Sequence, residues 1–454
     1  MFKMKIITLS LLALLLVMSF ASCASDTTSD SPMPNKDMKA YLQVRVTVDG
    51  SGDTRASRAA KGPQGGEDGD EREPGTNHEN EVNSLTVLLY KSDKADLSQD
   101  DATIDYVYTF TGLTASTPSS GSNVTYTTNP REIDPIIVGK DYRVLVIANA
   151  GDMTSSCKEK KISEIRDMQM DKVCTRNADI ANFSDFVMSS KKDAKIDFSG
   201  ASGSGTEANP YLVDVDIERL AARIDIIPNA EYDKTNQGYY YDVKDGANVI
   251  GGFKLESVTP SKVMTSGEYL IKRVSSDAAV SAVTYFGLET KDADNKATNY
   301  VVCPWTKNRT GLTLEEAKGP TSLYNVKKTT STSTTVGEAS YILDYVMENT
   351  TTDNAEDYST GLIFKGKYYE SSEWNATKHR PIAGAKCTEK EYTYTLRHSD
   401  PSGSGTTADP MHFGVVRNNI YQVKVEGVEG KSKGIKLTIH VVPWAHYDHG
   451  EVIY

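Results

Sequence analysis

Four apolar residues two apart, Ile435, Leu437, Ile439 and Val441, alternate with Lys436, Thr438 and His440 in the run from Ile435 to Val442. A period of two puts all four on one side of an extended chain and predicts a strand that must find a core for that side. An alternating run just before it, Val415-Val416-Arg417-Asn418-Asn419-Ile420-Tyr421-Gln422-Val423-Lys424-Val425, predicts a second strand. Glu426 to Gly434 separates them and is rich in glycine and charge. That spacer is short enough to fold 435–442 back onto 421–425 as a hairpin.

The pattern recurs near the other end. From Tyr41 to Val48, Leu42, Val44, Val46 and Val48 share one face and Gln43, Arg45 and Thr47 the other. A long breaker follows, because Asp49 to Asn80 has no Leu, Ile, Val or Phe and contains seven glycines. Such a segment cannot bury enough apolar surface to order itself, and its Arg55, Arg58 and Lys61 make it a protease target.

Between these ends, short β-like runs dominate: Glu81–Lys91, Tyr106–Phe110, Asp141–Asn149, Tyr211–Ile226, Phe253–Val258, Tyr300–Val302, Leu362–Tyr369 and Tyr392–Leu396. One short helix is expected over Ser163–Lys172, capped by Ser163. Lys327 to Ser340 reads as an exposed loop. Two similar loops, Ser202-Gly203-Ser204-Gly205-Thr206 and Ser402-Gly403-Ser404-Gly405-Thr406, each lead through a proline into a strand, and the first suggests a boundary near residue 210. At 454 residues the chain is long enough for two domains. A net charge of −12 argues against nucleic-acid binding, which concentrates Lys and Arg for the phosphates.

The first residues read as an export signal: Lys3 and Lys5, an apolar run from Ile6 to Val17, then Ser19-Phe20-Ala21-Ser22 before Cys23. Small residues ahead of a cysteine make Cys23 a candidate for lipidation. Cys157, Cys174, Cys303 and Cys387 show no CxxC spacing; a Cys157–Cys174 disulfide and isolated buried thiols are both compatible with it. No P-loop, HExxH or G-x-S-x-G is present, and no nucleophile is paired with a base, so neither an enzyme nor a cofactor is expected. His446, Asp448 and His449 crowd together, but a polar turn explains them better than a metal site.

The words Val415-Val416-Arg417-Asn418-Asn419-Ile420-Tyr421 and Val442-Pro443-Trp444 resemble the C-terminus of the Bacteroidales fimbrial subunits, the type V pilins, and in particular the major subunits of short fimbriae. The strand at 41–48, the glycine-rich stretch and Arg55-Ala56 are similar to the maturation region of that family. The resemblance implies a mainly β chain: two β-sandwich-like (transthyretin-like Greek-key) domains in tandem with few short helices. On this reading 1–22 is the signal peptide and 23–55 a lipidated propeptide carrying a removable strand (Leu42, Val44, Val46, Val48). Residues 56–210 and 211–434 are the two domains. Residues 435–454 hold the donor strand, either Ile435, Leu437, Ile439 and Val441 or, if these fold back as a hairpin, the tail with Val452 and Ile453.

The implied function is a pilin, exported as an outer-membrane lipoprotein precursor and cut by an arginine-specific protease after Arg55, with Arg58 as the alternative. It would polymerise with itself by strand exchange into an adhesive extracellular fimbria. Anchor and tip subunits, the lipoprotein export machinery and host or bacterial surface ligands are the implied partners. A tip or accessory subunit, or a monomeric surface lipoprotein that binds glycan or host protein, is the alternative.

Overall fold

The computed structural model describes residues 39–48, 73–74, 77–91, 101–116, 124–176, 183–199, 205–233, 235–236, 238–264, 268–271, 273–275, 283–285, 300–301, 340–350, 359–397, 414–430 and 434–445. The chain is mainly β, in two tandem β-sandwich-like domains with few short helices.

Alternation sets the first strand, β1 (Ala40–Val48), where every second residue is buried. The short β2 (Glu73–Pro74) and helix α1 (Asn77–Asn80) come next. The first sheet then adds β3 (Ser84–Tyr90), β4 (Ile104–Thr111), β5 (Thr114–Ala115), β6 (Thr125–Thr127), β7 (Arg131–Ile133) and β8 (Asp141–Ala148). Helices α2 (Thr154–Cys157) and α3 (Ile162–Arg166) lead to β9 (Gln169–Met170), β10 (Met188–Ser190), β11 (Ala194–Asp197) and β12 (Tyr211–Arg219). The strand order is β4-β3-β8-β10-β12-β1-β6-β5, with β11 on β8 and β7 on β1.

Two expectations change here. The helix expected over Ser163–Lys172 is only Ile162–Arg166, because the Glu164 carboxylate accepts the Lys161 backbone N–H at 2.9 Å and starts the turn one residue earlier. Met168 and β9 then leave the helix to pair elsewhere. More consequentially, Tyr211–Arg219 does not open the second domain. Its inward residues Tyr211, Val213, Val215 and Ile217 join the first core, and it pairs parallel with β1 and antiparallel with β10. The change of sheet falls at Leu220-Ala221.

The second domain begins with β13 (Ala222–Ile227), buried throughout. It continues through β14 (Tyr232–Asp233), β15 (Gly238–Asp245), β16 (Asn248–Ser261), β17 (Glu268–Tyr269), β18 (Arg273–Ser275), β19 (Val283–Tyr285), β20 (Tyr300–Val301), β21 (Tyr341–Val346), β22 (Asn349–Thr350), β23 (Gly361–Glu370), β24 (Trp374–Asn375), β25 (Arg380–Pro381) and β26 (Thr388–Thr395). It ends in β27 (Gly414–Val415), β28 (Asn419–Glu429) and β29 (Gly434–Ala445). The order is β2-β29-β28-β15-β16-β23-β26, with β13 between β28 and β21. The run expected as one strand over 415–425 is interrupted by a turn at Arg417-Asn418, where Asn418 adopts a positive φ of 56°.

The domains echo one another. In each, the first strand runs parallel to a late strand, β1 to β12 and β13 to β28, and that late strand carries an antiparallel neighbour on its other edge, β10 or β29. The glycine loop before β12 has a structural use. Gly205 has a φ of +81°, the Tyr211 ring packs where a Cβ would project, and its carbonyl accepts the Tyr41 N–H at 2.9 Å.

Candidate functional site

The seat of β1 is built on both edges. Leu42 to Val48 pair in register with Tyr211 to Ile217 of β12, while Ala40–Leu42 pair with β7 and Arg45–Thr47 with β6. Between β6 and β7, Thr128 closes the ladder: its hydroxyl accepts the Val44 N–H at 3.0 Å and its N–H donates to the Val44 carbonyl at 2.9 Å. Leu42, Val44, Val46 and Val48 are fully buried in the first core. The outward residues meet water and charge: Arg45 makes a two-pronged ion pair with Asp214, and Lys39 pairs with Glu132 at 2.9 Å. Taking β1 away would open an apolar channel with two unpaired strand edges.

At the other end of the chain, β29 forms the hairpin that the short spacer allows, matched to β28 at ten positions from Asn419↔Pro443 to Glu429↔Gly434, the arrangement for which the tail with Val452 and Ile453 is the expected donor. Ile435, Leu437, Ile439 and Val441 lie against the second core but stay half-buried. Among the described residues, the outer edge of β29 pairs only with the short β2, where Glu73 and Pro74 run parallel with Trp444 and Ala445.

The motif Val416-Arg417-Asn418-Asn419-Ile420-Tyr421 lies at the junction of the domains, and every residue of it is buried. The Tyr421 hydroxyl accepts the Val416 N–H at 2.7 Å, and Asn418 donates its N–H to the Ala221 carbonyl at 2.8 Å. Arg417 donates to Glu348 at 2.9 Å and to the carbonyls of Tyr269 at 2.6 Å and Leu270 at 3.1 Å, and it lies 3.3 Å from Glu268. The segment it holds is an arm of the second domain laid on the first: β17 pairs with β9, and Leu270 and Ile271 belong to the first core. Burial drives the Glu268 carboxyl well above its ordinary value. Arg417 opposes that shift, but it is shared with Glu348 and Glu218, whose negative charges reinforce the shift.

A second buried network completes the joint. Arg223 pairs with Asp225 at 2.8 Å and with Glu79 of α1 at 3.1 Å; Tyr345 donates its hydroxyl to Glu79, and Arg219 donates to the Glu79 carbonyl at 3.0 Å. Sequence pattern does not disclose these residues, since an arginine in a strand-like run reads as an outward charge. The one available signal was the arginines flanking the small residues Ala221 and Ala222.

Cys23, Arg55, Ala56, Arg58, Cys303, His446, Asp448, His449, Val452 and Ile453, and the loop at 327–339, lie outside the described residues. Cys157 and Cys174 are free and buried, with burial raising their thiols to about 11 and about 12; Cys387 is free and exposed. Among the described residues no group of His, Cys, Asp and Glu could hold a metal ion, and no helix is long and apolar enough to cross a membrane.

A comparison with curated proteins gives no match. Among solved structures, the fold is similar to a putative cell adhesion protein of Parabacteroides distasonis, 14% identical, covering 90% of this chain and 98% of that one with a TM-score of 0.44. It is also similar to the tip fimbrial protein Mfa3 of Porphyromonas gingivalis with C-terminal truncation, at 11% identity, 90% and 100% coverage and a TM-score of 0.39. A fimbrilin (fimA) of Porphyromonas gingivalis is 16% identical, with 90% and 99% coverage and a TM-score of 0.39. The family model described as Major fimbrial subunit protein (FimA) matches residues 40–207, from the start of β1 to the loop before β12. Over these residues, which make up most of its first domain, the chain is similar to the major fimbrial subunit family.

Proposed function

We propose that the chain is a structural subunit of a cell-surface fimbria, made as a lipoprotein precursor lipidated at Cys23. On this reading an arginine-specific protease cuts after Arg55, or after Arg58, and β1 leaves. The observation that carries the proposal is the contradiction within β1. It is a central strand whose apolar face is fully buried, yet a glycine-rich stretch without a single Leu, Ile, Val or Phe joins it to the rest of the chain. A strand meant to stay is not normally attached by a protease target.

Removal leaves an unsatisfied channel, and a strand from a neighbour fills it by β-addition. Burying four apolar side chains contributes roughly 6–12 kcal/mol gross. In β29 the same pattern is half covered in its own domain, so moving it into the channel adds on the order of 3–6 kcal/mol before unpairing and association costs. A head-to-tail contact that does not close on itself gives a filament.

The β28–β29 hairpin favours one competing reading, a tip or accessory subunit whose last strand is already in use. The two separate cleanly. Precursor lacking residues 1–22 should be monomeric, and cleavage in the 49–72 loop should yield filaments by electron microscopy. Truncation before Ile435 should permit cleavage and abolish filaments. Normal filaments in cells from an Arg55→Ala, Arg58→Ala double variant would overturn maturation at this loop. Palmitate incorporation into a Cys23→Ala precursor would overturn the lipidation site.

A further inference from the structure

The charges around β1 deepen the donor-strand reading, and the role assigned to them depends on it. From 39 to 48 the chain offers Lys39 and Arg45 and no carboxylate. Each cation meets an acid on a flanking strand: Lys39 meets Glu132 of β7, and Arg45 meets Asp214 of β12. In register, Glu132 stands opposite Tyr41, Asp214 opposite Arg45, and the exposed Asp216 opposite Thr47. Arg131 does not neutralise this rim: its guanidinium donates to the Thr109 carbonyl and lies over the Tyr108 and Phe110 rings. When β1 leaves, Glu132 and Asp214 lose their ion pairs on either side of the apolar channel.

Two segments compete for that channel. Residues 434–445 carry Lys436 and His440 and no carboxylate, whereas 446–454 set Asp448 and Glu451 against their own His446 and His449 and have no Lys or Arg. We propose that Glu132 and Asp214 select the replacement strand and fix its register, choosing 435–442 of a second copy over its tail. Laid in the direction of β1 with Leu437, Ile439 and Val441 at the places of Leu42, Val44 and Val46, the run puts Lys436 where Tyr41 stands, opposite Glu132. The same register puts His440 where Arg45 stands, opposite Asp214. Slipping by two residues either way keeps the apolar face inward but takes His440 from Asp214 and Lys436 from its place opposite Glu132. Slipping by one turns the apolar face outward. Apolar pattern alone leaves several registers open; the two carboxylates together leave one. The pair that Lys436 gives up, with Glu429 at 3.6 Å, is exposed on both sides.

The test uses the full chain matured by cleavage. Asp214→Lys and Lys436→Glu should each weaken assembly by about fivefold or more at low salt, less at high salt. Glu132→Lys combined with Lys436→Glu should recover most of the loss. In a Cys387→Ser background, Asp214→Cys should form an intermolecular disulfide with His440→Cys and not with Thr438→Cys or Val442→Cys. Filament growth indifferent to these reversals, or a crosslink from Val452→Cys instead, would overturn the selection while leaving strand exchange standing. Absence of filaments from the matured wild-type chain would remove both.

Discussion

Strands β1 and β29 present the same alternation of apolar side chains, yet they sit in the molecule differently. Leu42, Val44, Val46 and Val48 are sealed in a core and paired on both edges, while Ile435, Leu437, Ile439 and Val441 are half-covered on a strand paired fully on one edge only. Periodicity announces that a strand has an apolar face; it does not say how completely that face is covered. The difference in cover makes β1 costly to lose and β29 available to move.

The largest effect that would break this comparison comes from a carboxylate on each apolar face. Val44→Asp buries an unpaired charge and should cost several kcal/mol, leaving precursor that fails to fold. Leu437→Asp should keep a cooperative melt within a few degrees of wild type and lose filaments. Equal damage from both, read by circular dichroism, would mean that β29 is as integral as β1.

Next in size is the joint on which both domains depend. Arg417→Ala strips the buried carboxylates of their guanidinium and should cost about 3–5 kcal/mol, with protease cleavage between the domains rising accordingly. Its effect should be the same in precursor and matured protein, unlike any substitution in β1.

A smaller, pH-dependent effect belongs to Glu268. A carboxyl raised in the folded state takes up a proton on folding. Its contribution is therefore complete below the unfolded value near 4.5 and is lost as pH rises through the folded value. Relative to Glu268→Gln, the wild-type melting temperature should fall as pH is taken from about 5 to about 8. A constant difference across that range would remove the proton from the joint. Smallest of all, Arg45→Ala removes an exposed ion pair and should lower precursor stability by about 1 kcal/mol or less.

The legible parts of the fold were those with a local period. Both alternating strands and most of β3, β8 and β23 could be read because side-chain direction is set within a strand. Sheet membership could not: Tyr211–Arg219 alternates cleanly, but nothing in its alternation tells that its partners are β1 and β10 rather than strands to come. The candidate site was legible at Leu42–Val48 and Ile435–Val441, and the hairpin was visible as one of two outcomes. The joint was hidden because, apart from Asp225 beside Arg223, the partners that hold Arg417, Arg219 and Arg223 in place are distant in sequence: the carboxylates of Glu268, Glu348 and Glu79 and the Glu79 carbonyl. No short window along the chain contains Arg417 with Glu268 or Glu348, or Arg223 with Glu79.

The passage from β12 to β13 takes only Leu220 and Ala221, and β13 lies parallel to β28 over five matched positions. If subunits join as proposed, through the β1 channel and the C-terminal strand, tension would enter at β12 and leave by way of β28. The stretch between them is two residues of covalent chain and one sheet contact. Pulling along strands that lie side by side loads all their hydrogen bonds in shear at once, whereas pulling across them would unzip one rung at a time. Such a layout would make each subunit mechanically short, with its lifetime under load set by the unfolding rate of the β13–β28 contact.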